Sequence, residues 1–209
     1  GKNWHQAGES ISRQLAPGLT EGYDAAVKGY CDTIPTDKLL AAGRRRVVDR
    51  SVLKLVRMWR EAPIVATDDQ GRTTAHRSQQ GTPQGGVISP LLANIYLHWF
   101  EVLFHRADGP AHWAKAKLVR YADDFVILAR YQTKRLVQWT ESTPEGRFQL
   151  AINREKTRVV RLHQPKKSLD FLGFTFPHAR DLYASRRRYW TWFPSQQSLF
   201  GRVGGAVIR

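Results

Sequence analysis

The sequence is poor in cysteine, in methionine and in long apolar runs. Its single cysteine, Cys31, excludes an internal disulfide framework and is typical of a protein from a reducing compartment. No apolar run approaches the roughly 18 residues of a membrane-spanning helix, and no signal peptide is visible, so we expect no membrane association. The only methionine is Met58, so the chain does not begin at a start codon, and we expect it to be a piece of a longer protein.

Acidic residues are also scarce. The 209 residues include 18 aspartates and glutamates against 33 lysines and arginines, which gives a net charge of +15 and an isoelectric point near 10.4. Such an excess favours a polyanionic partner, most simply nucleic acid, over a basic surface that is merely solvated. Apolar residues make up 42% of the chain, enough to bury a core in one domain or in one domain with an appendage.

Two adjacent aspartates, Asp123 and Asp124, stand between two apolar runs in "VRYADDFVILAR", residues 119–130. The runs predict the two strands of a hairpin with the aspartates as its turn pair, where Asn-Gly or Asp-Gly is more usual. Carboxylates this close repel each other unless a positive charge lies beside them, and hard oxygen ligands suit Mg²⁺. In a basic chain this pattern favours metal-assisted phosphoryl transfer on nucleic acid, whereas an isolated Asp-Asp pair on a surface turn needs no metal.

Two further segments allow a structural and a functional interpretation. The glycines of "QGTPQGG", residues 80–86, predict either a flexible loop or a backbone that a nucleotide can approach closely, with Gln84 in contact. This loop is not the phosphate loop of a nucleoside triphosphatase, because Val87 and Ile88 follow it. Lys156 lies in the predicted turn of a strand-turn-strand segment, "FQLAINREKTRVVRL". It is either solvated or, if that turn faces the aspartates, placed to neutralise or protonate a leaving pyrophosphate.

The other patterns mix helices with hairpins. A helix is predicted to begin at Ser89 in "SPLLANIYLHWF", and a strand pair bent at Gly173 is predicted in "SLDFLGFTF". A second helix follows "GRRR", with an apolar stripe made by Val48, Val52, Leu55, Val56 and Trp59. Together these elements predict an α+β fold with helices on one face of an antiparallel sheet.

Four segments in this order resemble the palm of a reverse transcriptase, most closely the group II intron-encoded type: "QGTPQGGVISPLLANIYL", "RYADDFVIL", "LAINREKT" and "LDFLGFTF". "GYDAAVKGYCDTIPTDKLL" is similar to the first palm motif of that family. The resemblance implies a right-hand polymerase palm with a ferredoxin-like sheet and part of the fingers in residues 1–185. Residues 186–209 are then the start of a truncated thumb or of a C-terminal extension.

The resemblance also implies an activity, RNA-directed DNA polymerisation, and the parts that perform it. The implied cofactor is Mg²⁺, as two ions with Mn²⁺ as an alternative, and the partners are an RNA template that includes intron RNA, a DNA primer and deoxynucleoside triphosphates, in the bacterial cytoplasm. The residues implied as catalytic are Asp123, Asp124 and Lys156; as metal-binding, Asp123, Asp124 and Val27; as substrate-binding, Gln84, Gly85, Cys31, Tyr121 and Ala122; and as the primer grip, Leu172 and Gly173.

The first palm motif departs from the family at two positions. The usual A-D-I-K-G-Y-F-D aligns with residues 25–32, which read AAVKGYCD. Ala26 therefore occupies the position of a metal-binding aspartate, and Cys31 replaces the bulky aromatic residue that excludes a ribose 2′-hydroxyl. Asp24 shares a strand face with Ala26 but lies about 6 to 7 Å further along, so we expect it not to replace the missing carboxylate. These departures predict weak or absent catalysis.

Three functions are compatible with the sequence. The first is a reverse transcriptase palm whose polymerase activity is impaired. The second is an RNA-binding, maturase-like remnant that holds structured intron RNA through its basic surface and has no polymerase activity. The third is a structural fragment with no independent function. The three differ in whether the chain extends a primer, binds RNA with a salt-dependent affinity and unfolds cooperatively.

Overall fold

A computed structural model describes residues 4–44, 48–61, 64–67, 73–76, 89–177 and 192–195. The chain divides into two compact units. The first contains Gly1–Ala26, Phe104–Gln138 and Asn153–Arg209, and the second contains Val27–Leu103 and Trp139–Ile152. Within the described segments, no helix has both the length and the apolar character needed to cross a membrane.

Helices and antiparallel hairpins are mixed along the chain, as in an α+β fold. In chain order they are α1 Trp4–Leu15, β1 Glu21–Ala26, α2 Tyr30–Thr33, α3 Thr36–Arg44, α4 Arg50–Glu61, β2 Ile64–Thr67, β3 Thr73–His76, α5 Ser89–His105, α6 Pro110–Trp113, β4 Lys117–Tyr121, β5 Asp124–Ala129, α7 Lys134–Ser142, β6 Arg158–Arg161, β7 Leu169–Phe171, β8 Phe174–Phe176 and β9 Phe193–Pro194. The helix predicted from Ser89 and the strand pair predicted in "SLDFLGFTF" are confirmed.

The first unit is built on a four-stranded antiparallel sheet in the order β4-β5-β1-β6. Two central strands, β1 and β5, are paired along their whole length, from Glu21 opposite Ala129 to Ala26 opposite Asp124. A second, three-stranded sheet has the order β7-β8-β9. Mixed helices and antiparallel strands confirm the predicted fold class.

The core of the first unit lies between α1, one face of the four-stranded sheet and the β7-β8 hairpin. Helix α1 contributes Ala7, Ile11 and Leu15, which recur every four residues and so share one side of the helix. The sheet contributes alternate residues, among them Val126 and Leu128 of β5. Residues on the opposite face of β5 are buried as well, since Phe125, Ile127 and Ala129 have no exposed surface. Burial on both faces explains why β5 reads as a continuous apolar run.

The second unit holds α2 to α4, the β2-β3 hairpin and most of α5. Within it the Tyr96 hydroxyl of α5 donates a 2.8 Å hydrogen bond to the carbonyl oxygen of Phe148, and the rings of Phe100 and Trp139 stack with their centroids 5.6 Å apart. The strand predicted before the "NREKT" turn is wrong, since it is reduced to a single bridge between Ile152 and Val27. A π-helical turn, Thr143–Arg147, precedes this bridge.

Candidate functional site

The acidic turn lies at the tip of the β4-β5 hairpin, one residue earlier than predicted. Tyr121 pairs with Asp124, so the two turn residues are Ala122 and Asp123, and the predicted Asp123-Asp124 turn pair is wrong. Ala122 takes the left-handed backbone conformation, with φ 53°, and its carbonyl accepts a 2.7 Å hydrogen bond from the Arg120 guanidinium. Asp124 is therefore the extended first residue of β5, whereas Asp123 lies in the turn. The two side chains start from different backbone conformations.

The register of β1 brings Ala26 next to this turn. Ala26 lies directly opposite Asp124 on the neighbouring strand, so the two side chains project from the same face of the sheet. Directly opposed residues of an antiparallel pair have Cβ atoms about 4.5 to 5.5 Å apart. A carboxylate at position 26 would therefore stand beside the Asp124 carboxylate, whereas the methyl group of Ala26 offers no oxygen there.

Asp24 lies on the same face as Ala26, two residues along β1, and it is engaged by an arginine. The Arg158 Nε donates a 3.2 Å hydrogen bond to Asp24 Oδ2, and a terminal nitrogen of the same guanidinium lies 3.6 Å from Asp170 Oδ2. The Asp24 side chain is only 18% exposed. Burial raises the pKa of its carboxyl to about 6, although the charge of Arg158 acts in the opposite direction.

Burial and two neighbouring charges shift the pKa of the Asp124 carboxyl. Burial by surrounding atoms raises the pKa of the Asp124 carboxyl even though the side chain reaches solvent, and the neighbouring charge of Asp123 raises that pKa further. The positive charge of Lys156 lowers the pKa of the Asp124 carboxyl, so the two charged groups interact. The Lys156 backbone is held in its own turn by a 3.1 Å hydrogen bond to the carbonyl of Asn153. Its role as a general acid stays a prediction.

The oxygen donors near the turn suit one divalent ion better than two. Mg²⁺ requires six oxygen ligands in near-octahedral geometry, and two ions that share a site need bridging carboxylates. Asp123 and Asp124 offer carboxylates, Ala26 offers none, and Asp24 is bonded to Arg158. Among the described residues no group of three or more His, Cys, Asp or Glu side chains is placed to hold a metal. These donors therefore do not complete the two-ion site that the family resemblance implies.

The predicted primer grip forms the turn between β7 and β8. Leu172 and Gly173 both have positive φ, 53° and 77°, which is the requirement of a type I′ hairpin turn. Leu172 is a costly residue for this conformation, and its side chain packs against the core of the first unit, which holds it there. The Gly173 carbonyl accepts a 2.7 Å hydrogen bond from the amide of Ser195, so β9 is tied to this turn.

The other predicted site residues are distributed over the hairpin tip, the second unit and segments outside the described residues. Gln84 and Gly85 lie outside the described residues. Val27 and Cys31 belong to the second unit, where Val27 bridges to Ile152 and Cys31 lies in α2. Tyr121 and Ala122 are part of the hairpin tip itself.

Arg158 and Asp170 are the residues that the sequence did not reveal. Arg158 contacts Asp24 across 134 positions of the chain, and Asp170 contacts Arg158. Nothing distinguishes Arg158 from the other basic residues of the sequence. The only usable signal was the position of Asp24 on the same strand face as Ala26.

Comparison with known proteins gives a family match and several relatives. The family model for reverse transcriptase (RNA-dependent DNA polymerase) matches residues 25–176. Protein YkfC of Escherichia coli K12 is 28% identical over 216 residues, which cover 88% of this chain and 55% of that protein. The group II intron-encoded protein LtrA of Lactococcus lactis is 23% identical over 233 residues, which cover 83% of this chain and 37% of that protein. The chain thus spans about half of YkfC and little more than a third of LtrA.

Solved structures share the fold. Apo telomerase from Candida tropicalis, truncated from its C-terminal domain, superposes with a TM-score of 0.71 at 15% identity and covers 93% of this chain and 40% of that one. Telomerase from Candida albicans in complex with a fragment of telomeric RNA superposes with a TM-score of 0.66 at 14% identity, over 92% and 35% of the two chains. At this identity the likeness concerns the fold.

Proposed function

Because this chain belongs to the reverse transcriptase family of RNA-directed DNA polymerases, we propose that it is a group II intron-type polymerase palm in which nucleotide transfer is impaired by one missing carboxylate. The observation that carries this proposal is the pairing of Ala26 with Asp124 across β1 and β5. It places the methyl group of Ala26 beside the acidic turn, on the same face of the sheet, where a third carboxylate would complete the donor set.

The parts that remain would bind and orient a nucleic acid rather than drive chemistry. When two Mg²⁺ ions are bound, the family's site activates a primer hydroxyl and stabilises the triphosphate. In this chain Asp123 and Asp124 would supply only part of the oxygen ligands that two Mg²⁺ ions need. Lys156 contributes a positive charge that interacts with Asp124, which favours a phosphate-bearing ligand at the turn. The proposed partners are an RNA template, a DNA primer and deoxynucleoside triphosphates.

A second candidate function is RNA binding without polymerisation. The net charge of +15 supports it, because a chain with this excess attracts polyanions whether or not a catalytic site is complete. The similarity to LtrA, a group II intron-encoded protein, makes structured intron RNA a reasonable ligand for such a protein. This candidate predicts an affinity for RNA that falls with salt, and it predicts no incorporation of nucleotides in any variant.

The experiment that separates the two functions is primer extension on an RNA template with Mg²⁺ or Mn²⁺, run beside RNA-binding curves. The proteins compared are the unaltered chain, Ala26→Asp and Ala26→Asn, where asparagine matches the shape of aspartate but not its charge. The impaired-polymerase proposal expects extension by Ala26→Asp only, with RNA binding equal in all three.

Each other result favours a different conclusion. If all three proteins bind RNA and none extends a primer, RNA binding without polymerisation is supported instead. Extension by the unaltered chain at the level of Ala26→Asp would show that position 26 needs no carboxylate. If none of the three binds RNA, both functions fail.

A further inference from the structure

We propose that a groove between α3 and α4 of the second unit binds the phosphodiester backbone of single-stranded RNA. The groove has a volume of about 520 Å³ and is lined by four cationic side chains, Arg44, Arg50, Lys54 and Arg57. The proposal rests on nucleic acid being the partner of this protein, and it does not depend on whether nucleotides are transferred.

The cations reach the groove because of their helical positions. Arg50, Lys54 and Arg57 recur at spacings of four and three along α4, so they lie on one side of that helix, and Arg44 ends α3. No carboxylate lines the groove among the residues that the structure describes. The nearby Asp49 carboxylate already accepts a 2.7 Å hydrogen bond from the amide of Ser51 at the start of α4. Four positive charges in one groove repel each other. A ligand with several negative charges would reduce this repulsion.

Apolar side chains lie among these charges, which indicates a ligand that has apolar parts as well as negative charges. Leu40, Val48 and Leu53 complete the lining, and Val48 is 94% exposed. Val48 was predicted to belong to the apolar stripe of a helix, and this is wrong, because α4 begins only at Arg50. A single strand has sugars and unpaired bases that can pack on such residues while its phosphates pair with the cations. The groove volume falls in the range of pockets that hold ligands of about nucleotide size or larger.

The test uses the full chain and a fluorescently labelled single-stranded RNA of mixed sequence, with affinity measured by anisotropy from 50 to 300 mM KCl. The groove variant is Arg44→Gln, Arg50→Gln and Lys54→Gln combined; Arg57 is kept because it makes a further interaction within the chain. The matched control removes three exposed charges from the first unit: Arg130→Gln, Lys134→Gln and Lys167→Gln. Circular dichroism melting of both variants checks that each folds.

Each lost phosphate contact lowers the salt slope by about 0.7 and the affinity by about fourfold at 0.15 M salt. We expect the groove variant to bind about 50-fold more weakly than the unaltered chain, with a slope smaller by about 2, and the control to lose much less. Equal losses in the two variants would overturn the proposal and leave general charge as the cause of binding. The proposal is also overturned if the groove variant binds RNA normally but loses binding to polyglutamate, which would make the groove a site for an acidic protein segment. If the unaltered chain binds no RNA, the proposed nucleic-acid partner itself is wrong.

Discussion

Replacing Ala26 by aspartate should make the stability of the protein depend on magnesium. The new carboxylate would stand about 5 Å from that of Asp124, because the two residues are directly opposed on β1 and β5. At that distance two negative charges repel by about 1 to 3 kcal/mol for an effective dielectric constant between that of water and about 20. Without a divalent ion we therefore expect Ala26→Asp to lower the free energy of unfolding by this amount at neutral pH.

Magnesium should reverse this loss. If the completed site binds Mg²⁺ with a dissociation constant of about 1 mM, then 10 mM Mg²⁺ stabilises the folded state by about 1.4 kcal/mol. For a chain of this size that is a rise in melting temperature of about 3 to 6 °C. The measurement is a thermal melt at matched ionic strength, with MgCl₂ replaced by NaCl in the reference sample.

Two variants make the measurement specific to the metal-binding geometry. Ala26→Asn has nearly the same shape and no added charge, and it should show no magnesium-dependent rise in melting temperature beyond that of the unaltered chain. Ala26→Asp combined with Asp124→Asn should lose most of the rise, because the opposed carboxylate is gone. An equal rise in the aspartate and asparagine variants, or none in the aspartate variant, would refute the reasoning that position 26 belongs to the acidic site.

Other changes test the surrounding structure. The pKa of Asp24 is raised from 3.8 to about 6, so the folded protein binds more protons than the unfolded chain between these values, and its stability should fall as the pH rises from 4 to 6. Asp24→Asn should flatten that dependence by at most about 3 kcal/mol in urea unfolding. Ala122→Gly should raise stability by about 0.5 kcal/mol, because Ala122 has φ 53°, whereas Ala151→Gly, at a position without positive φ, should lower it in the same assay. Tyr96→Phe should cost about 1 to 2 kcal/mol in chemical denaturation, because the buried carbonyl of Phe148 loses its 2.8 Å hydrogen bond; an unchanged midpoint would show that water replaces the hydroxyl.

The sequence alone determined the features that depend on residue type and local periodicity. Net charge, the order of the motifs and the apolar run of β5 are properties of neighbouring residues, and they were enough to predict the α+β class and the family resemblance. The absence of a carboxylate at position 26, where the family resemblance implies one, was also visible in the sequence, because it depends only on alignment within one short motif.

Tertiary structure decided every feature that depends on which strands meet. The pairing of Ala26 with Asp124 is a matter of register between strands about a hundred residues apart, and nothing local fixes that register. The contact between Asp24 and Arg158 joins residues 134 positions apart, so no local sequence pattern predicts it. The position of the acidic turn was decided by the pairing of Tyr121 with Asp124, since one residue of shift in a hairpin changes which side chains face outward.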